Sequence, residues 1–269
     1  MSDTLLAEVP LVSLADQKSD PDGFAAALGG SFERFGFAMV SDHGVPQDLI
    51  DRAWAATKAF FDLPEEEKHG YFVAGGGGAR GYTPFKTEIA KGAEYVDLKE
   101  FWHIGRELPA GHRFEANMAP NIWPDRPEGF RDTFLELFAA FDTAGDKLLS
   151  AIARHLGLKP DWFDHAVKDG NSVLRLLHYP PVTEDAPNVR AGAHEDINLI
   201  TLLLGAEEAG LELLDKYGQW LPVRPPEGAM VVNVGDMLQR LTNHVLPSTT
   251  PPVVNPPPER RAPPRSSLP

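Results

Sequence analysis

The sequence predicts an α+β fold in which helices from the first half of the chain pack around a β-rich second half. Two observations carry this. Up to residue 171, apolar side chains recur at three- and four-residue steps over long stretches. From residue 172 the chain breaks into short β-type runs bounded by Gly, Pro, Asn or Asp, the texture of an all-β sandwich or barrel. With 269 residues, 42% hydrophobic and 24% charged, the chain is long and apolar enough to bury one substantial core.

Taken in order, "VPLVSLAD" alternates and reads as a short strand ending near Asp16. Phe24, Leu28, Phe32 and Phe35 fall at helical intervals, with Gly36 as the stop. "FAMVSDHG" reads as a second strand. The stretch from Pro46 to Lys68 carries Leu49, Ile50, Ala53, Trp54, Thr57, Phe60 and Phe61 on one helical face. "AGGGGARGY", residues 74–82, is expected to hold no regular element, because consecutive glycines lose the most backbone entropy on ordering. It lacks the Gly-Lys-Ser/Thr of a phosphate-binding loop, so it reads as a mobile loop beside a cleft. A long helix fits 127–156, stopped by Gly157. After 172 the β-type runs are "SVLRLLHYP", "NLITLLLG", "LELLD", "WLPV", "AMVVNVGD", "MLQRLT" and "STTPPVVN". The prolines of the tail, 247–269, argue against a central strand there.

Composition excludes several functions. A formal net charge of −14 repels a phosphate backbone, so nucleic acid is not an expected partner. The chain has no cysteine, which removes disulfides, thiolate metal sites and cysteine nucleophiles and suits a reducing cytoplasm. The N-terminus lacks the basic and apolar regions of a secretory signal, and no apolar run approaches the roughly 20 residues of a membrane helix. A cytoplasmic protein acting on a small molecule is expected, with a monomer favoured.

The chemistry is concentrated in "RAGAHEDINLITLLLG", residues 190–205. On a strand, residues two apart share a face, so His194 and Asp196 can converge on one ion while Glu195 points away. Imidazole plus carboxylate suits Fe(II), Mn(II) or Zn(II); two His and one carboxylate leave positions open for a cosubstrate and oxygen.

Around this tripeptide lie ordered motifs: "VPLVSLAD", "FERFGFAMVSDHGVP", "AATKAFFDLPEEEK", "RGYTPFKTEIAKG", "DLKEFWHIGRE", "LRLLHYPP", "AHEDINLITLLL", "VVNVGDMLQRLTN" and "PRSSLP". Together they resemble the isopenicillin N synthase-like family of Fe(II)/2-oxoglutarate-dependent oxygenases across nearly the whole chain. The resemblance implies an N-terminal oxygenase region over 1–120, a helical connection over 121–171 and a double-stranded β-helix (jelly roll) over 172–269. It implies Fe(II) held by His194 and Asp196, with 2-oxoglutarate as cosubstrate and O2 as oxidant, releasing succinate and CO2. It assigns the distal carboxylate of 2-oxoglutarate to Arg265 and Ser267, with Tyr179 adding a hydrogen bond. A guanidinium suits that task because its planar fork meets a carboxylate bidentately.

The resemblance also implies a second histidine ligand some fifty residues after Asp196, in a segment like Ser-Thr-x-His-Arg-Val. This chain reads "STTPPVV", with Pro251 where the histidine belongs and Pro252 where the arginine belongs. His244 is the only histidine downstream of Asp196, and "LTNHVLPS" reads as a hairpin tip too far from position 251 to replace it. Ser266 stands where relatives often carry an aromatic, and the chain stops at "SLP" where they continue into a further strand, so an exposed sheet edge is expected. These departures make an impaired iron site the expectation, with a catalytically silent carboxylate-binding protein as the alternative. A zinc hydrolase built on His194 and Asp196 also lacks its third protein ligand.

Overall fold

The computed structural model describes residues 9–88, 96–181, 196–205, 212–214, 220–223, 225–248 and 265–269; for 212–214, 220–222 and 265 it describes the backbone alone. Two four-stranded sheets organise it. The first runs β1 (Leu11–Ser13), β2 (Phe37–Ser41), β9 (Met230–Val234), β6 (Ile200–Leu203). The second runs β10 (Arg265–Ser267), β5 (Val173–Tyr179), β4 (Glu100–Gly105), β3 (Gly81–Thr83). A single antiparallel bridge, Leu204 to Leu268, joins β6 to β10, so the two sheets form one continuous surface. The four strands in the middle, β9, β6, β10 and β5, therefore come from the second half of the chain, and each flank is a pair from the first half. A short hairpin of β7 (Glu212–Leu214) and β8 (Trp220–Pro222) completes the described strands.

One face of this surface is covered by helices; the described helices include the short α1 (Asp16–Ser19), α4 (Glu65–His69) and α6 (Asp164–Val167). Helix α2 (Pro21–Phe35) starts at Asp20, whose side chain accepts from the Gly23 amide at 2.9 Å, and stops at Gly36 in the left-handed conformation with φ 69°. Helices α3 (Gln47–Phe61) and α5 (Phe130–His155) bring Leu49, Phe60, Phe134, Leu137 and Leu148 against Val40, Val232, Trp102, Leu174, Leu176 and Leu268 in one core. The 3.6-residue spacing of these apolar positions is what lets each helix bury a single stripe. The opposite face carries Phe37, Val231, Met39 and Leu203 from the first sheet, packed with Val223 just after β8. From the second sheet it carries Phe101, Leu177 and Tyr179.

Four expectations are corrected. "MLQRLT" is not a strand: Asp236–Leu241 forms helix α7, with an acidic residue in its first turn, a basic one in its last, and Leu238 as its buried residue. The long helix begins at Phe130 rather than 127, because Gly129 sits at φ 75° outside the helical region. The end of the glycine run is ordered, since Gly81 and Tyr82 pair with His103 and Trp102 on β4. The tail does hold an interior strand: no proline falls between Pro264 and Pro269, and β10 lies there between β5 and the β6 bridge, leaving β1 and β3 as the edges of this surface. "STTPPVVN" lies, apart from Ser248, outside the described residues. No helix among the described residues is long and apolar enough to cross a membrane.

Candidate functional site

Asp196 sits in the turn that leads into β6. Its Oδ2 accepts hydrogen bonds from Thr201 Oγ1 at 2.9 Å and Asn233 Nδ2 at 2.8 Å. Thr201 in turn accepts from Asn198 Nδ2 at 2.9 Å. Thr201 and Asn233 are direct cross-strand partners on β6 and β9, so the sheet register sets the position of the carboxylate. The turn is also tied by its backbone: Asn198 N and Asp236 N both donate to the Asp196 carbonyl, at 2.8 and 2.9 Å. Gly235 permits this close approach, since a Cβ there would lie 2.1 Å from Asn198 Oδ1.

Tyr179 ends β5 and is buried beside Leu177 and Phe101. Strand β10 pairs Arg265 with Tyr179 and Ser267 with Leu177. The register thus sets the Arg-x-Ser segment beside the tyrosine, on the surface whose neighbouring strand orients Asp196. Ser267 is half-buried. His194 and Pro251 lie outside the described residues. His244 is exposed at φ 66° in the turn after α7, its amide donating to the Gln239 carbonyl at 2.8 Å; it is a surface-turn histidine, reached from a helix rather than a hairpin.

Among the described residues, no group of three or more His, Asp or Glu side chains converges as for a metal ion. The described part supplies one carboxylate pinned by two donors, the outer support that metal ligands receive. Imidazole and carboxylate, the side chains at 194 and 196, are donor types that Fe(II) accepts, whereas the proline side chain at 251 has no donor atom.

Two residue pairs here escaped the sequence reading. Thr201 and Asn233 were signalled only as polar residues inside the apolar runs "NLITLLLG" and "VVNVGD". His103 and Arg175 face each other across β4 and β5: Arg175 Nε donates to His103 Nε2, and His103 Nδ1 donates to the Gly78 carbonyl. Burial first, then the Arg175 charge, pushes the His103 pKa down to about 3, so its ring is neutral. Phe101 and Trp102, grouped together in sequence, point to opposite faces; Trp102 belongs to the helix-covered core and Phe101 stands beside Tyr179.

Two family models cover most of the chain. The N-terminal model of a non-haem dioxygenase in morphine synthesis matches residues 9–126, and the 2OG-Fe(II) oxygenase superfamily model matches 170–269. A 2-oxoglutarate-Fe(II) type oxidoreductase of Emericella nidulans is 37% identical over 237 residues, covering 84% of this chain and 68% of that protein. This chain is a member of the isopenicillin N synthase-like 2-oxoglutarate–Fe(II) oxygenases. Within this family, a Caulobacter crescentus protein assigned to the 2OG-Fe(II) oxygenases has a similar structure, with TM-score 0.90 and 56% identity over 98% of this chain and 85% of that one. A full-length Neurospora crassa protein in complex with alpha-KG follows at TM-score 0.85 and 30% identity, over 100% and 85% of the two chains. The same Neurospora crassa protein has also been solved with alpha-KG and thymine. The described strands are accordingly those of the family's jelly-roll core. Fe(II), 2-oxoglutarate and O2 are the metal, cosubstrate and oxidant of these oxygenases.

Proposed function

We propose that this chain is a 2-oxoglutarate-dependent oxygenase of a small molecule whose iron site is weakened by Pro251. The observation that carries the cosubstrate part is the β5–β10 register, which pairs Arg265 with Tyr179 and Ser267 with Leu177. A guanidinium and two hydroxyls carried by neighbouring strands suit a carboxylate. Tyr179 is buried, which keeps water from competing for that contact. Asp196, fixed by Thr201 and Asn233, and His194 would hold Fe(II), which when bound supplies activation of O2 against a C–H bond. The Neurospora crassa relative solved with thymine supports a small molecule as the substrate class here.

Pro251 favours a second reading, in which the protein binds carboxylates through Arg265, Ser267 and Tyr179 without turnover. Anaerobic calorimetry of Fe(II) with 2-oxoglutarate present, on this chain and on Pro251→His, separates the two. Tight Fe(II) binding by the unaltered chain, with succinate formed on admission of O2, supports an active oxygenase. Tight binding by Pro251→His alone supports the silent reading, and equal weak binding by both removes position 251 from the site.

A further inference from the structure

The segment "GGGGARGY" carries a buried cation that the oxygenase reading does not use. Arg80 is 6% exposed, and its guanidinium lies flat over Gly105 on β4, where a Cβ would come within 2.0 Å of Cζ. Nη1 donates to the Ala79 carbonyl at 2.7 Å and Nη2 to Asn171 Oδ1 at 2.9 Å, while Nε is buried with no partner. No carboxylate pairs with Arg80 among the described residues. Leaving a desolvated cation without a counter-charge is costly unless an anion arrives to offset it.

Arg175 stands on the same side, two residues along the β4 face from Gly105, with the neutral His103 between the two guanidiniums. Its guanidinium lies 4.5 Å from the Phe101 ring centroid, and its side chain retains 24% of its exposure. Among the described residues, the carboxylate that meets its Nη2 is Glu88, at 3.5 Å, and Glu88 is already held by Lys99 at 2.6 Å. Lys99 also meets Asp97 at 2.9 Å. Among the described residues, Glu88 and Asp97 thus meet Lys99 and Arg175, while Arg80 adds a cation that neither of them pairs. The Arg175 amide donates to the Pro269 carbonyl at 2.8 Å, beside the Leu204–Leu268 bridge to β6, the strand whose Thr201 orients Asp196.

We propose that Arg175, backed by the charge of Arg80, receives a carboxylate of the substrate, whose apolar body lies along Phe101 and Leu177; the substrate is a small organic acid. Arg175 makes the contact because it is the less buried of the two arginines, and Arg80 is a positioning residue that raises the potential behind it. The proposal deepens the oxygenase reading and rests on it for the word substrate, but its test needs neither iron nor turnover.

The test is ligand-observed NMR titration of the full chain, without metal or 2-oxoglutarate, using phenylacetate and hexanoate, each beside its carboxamide. At least one acid is expected to bind about tenfold or more tighter than its amide, as a charge-assisted forked contact does against a neutral one. That preference should vanish in Arg175→Met and survive in part in Arg175→Lys, which keeps the charge without the fork. Thermal melts of each variant report folding, and the Lys variant keeps the test open should Met misfold. The proposal is overturned if no acid is preferred over its amide, if Arg175→Met keeps the preference, or if 2-oxoglutarate displaces the acid in the unaltered chain but not in Arg265→Ala. In the last case the acid occupies the cosubstrate position. Separately measured 2-oxoglutarate binding to the unaltered chain and Arg265→Ala tests the oxygenase reading, so either idea can fail alone.

Discussion

Asn233 Nδ2 donates to Asp196 Oδ2 at 2.8 Å across 37 residues of sequence, and this contact fixes the carboxylate before any ion arrives. Asn233 is 7% exposed and shares the carboxylate oxygen with Thr201. Removing an outer donor of this kind commonly weakens metal affinity by about 10–100-fold. In the Pro251→His background, Asn233→Ala is therefore expected to lower Fe(II) affinity by about that range, read by anaerobic calorimetry. Unchanged affinity would mean that Thr201 suffices to hold Asp196.

Arg265→Ala is expected to weaken 2-oxoglutarate binding by about 2–5 kcal/mol, the cost of leaving a desolvated carboxylate without its partner. Ser267→Ala should cost about 0.5–1.5 kcal/mol, one ordinary hydrogen bond. Calorimetry on both variants gives the comparison. Equal, small losses would remove the β10 face from the cosubstrate site despite its pairing with Tyr179.

Much of this was legible in the sequence, for reasons that differ by element. The stripes of α2, α3 and α5 are local properties of the chain, and so is the Gly36 stop. His194 and Asp196 are candidates from their spacing, and Arg265, Ser267 and Tyr179 are candidates from ordered resemblance; the register sets these last three on paired strands. Helix α7 was misread because six residues with one buried leucine carry too little periodicity to separate helix from strand. Arg175 and His103 were not readable: their pairing exists only after β4 and β5 align residues separated by 72 positions. The interior position of β10 was hidden by the prolines preceding it, whose effect ends where Arg265 begins.

On the helix-covered face, Lys68 and Glu100 form a buried pair, with Nζ 2.8 Å from Oε2 and side chains 9% and 4% exposed. Glu100 also accepts from Tyr82 OH and, at 2.7 Å, from His178 Nδ1. Burial raises the Glu100 pKa, but its donors outweigh that and hold it below the usual carboxylate range. Breaking a buried pair from one side typically costs about 3–5 kcal/mol. Lys68→Met should fall at the lower end, about 3 kcal/mol in denaturant unfolding, because two donors remain on the carboxylate. Lys68→Met combined with Glu100→Gln should recover part of that loss; a double variant as unstable as the sum of the two single ones would show that the pair is not coupled.

His103 gives the fold a dependence on mild acid. Free histidine titrates near 6.5, whereas in the folded chain burial and the Arg175 charge lower this to about 3. Between those values the unfolded chain takes up a proton that the folded chain refuses, so stability is full above pH 6.5 and is lost as pH falls towards 3. The slope is at most about 1.4 kcal/mol per pH unit. Glu88 and Glu100 have lowered pKa values too, but their loss begins only below the ordinary carboxylate value of about 4.3, which leaves pH 5–6.5 to report on the histidine. In denaturant titrations across that window, His103→Gln should flatten the pH dependence by up to about 2 kcal/mol. Glutamine can still donate to the Gly78 carbonyl and accept from Arg175 Nε, so the comparison isolates the proton. An identical slope in the variant would mean that His103 is protonated in the fold and that the neutral ring between Arg80 and Arg175 is wrong.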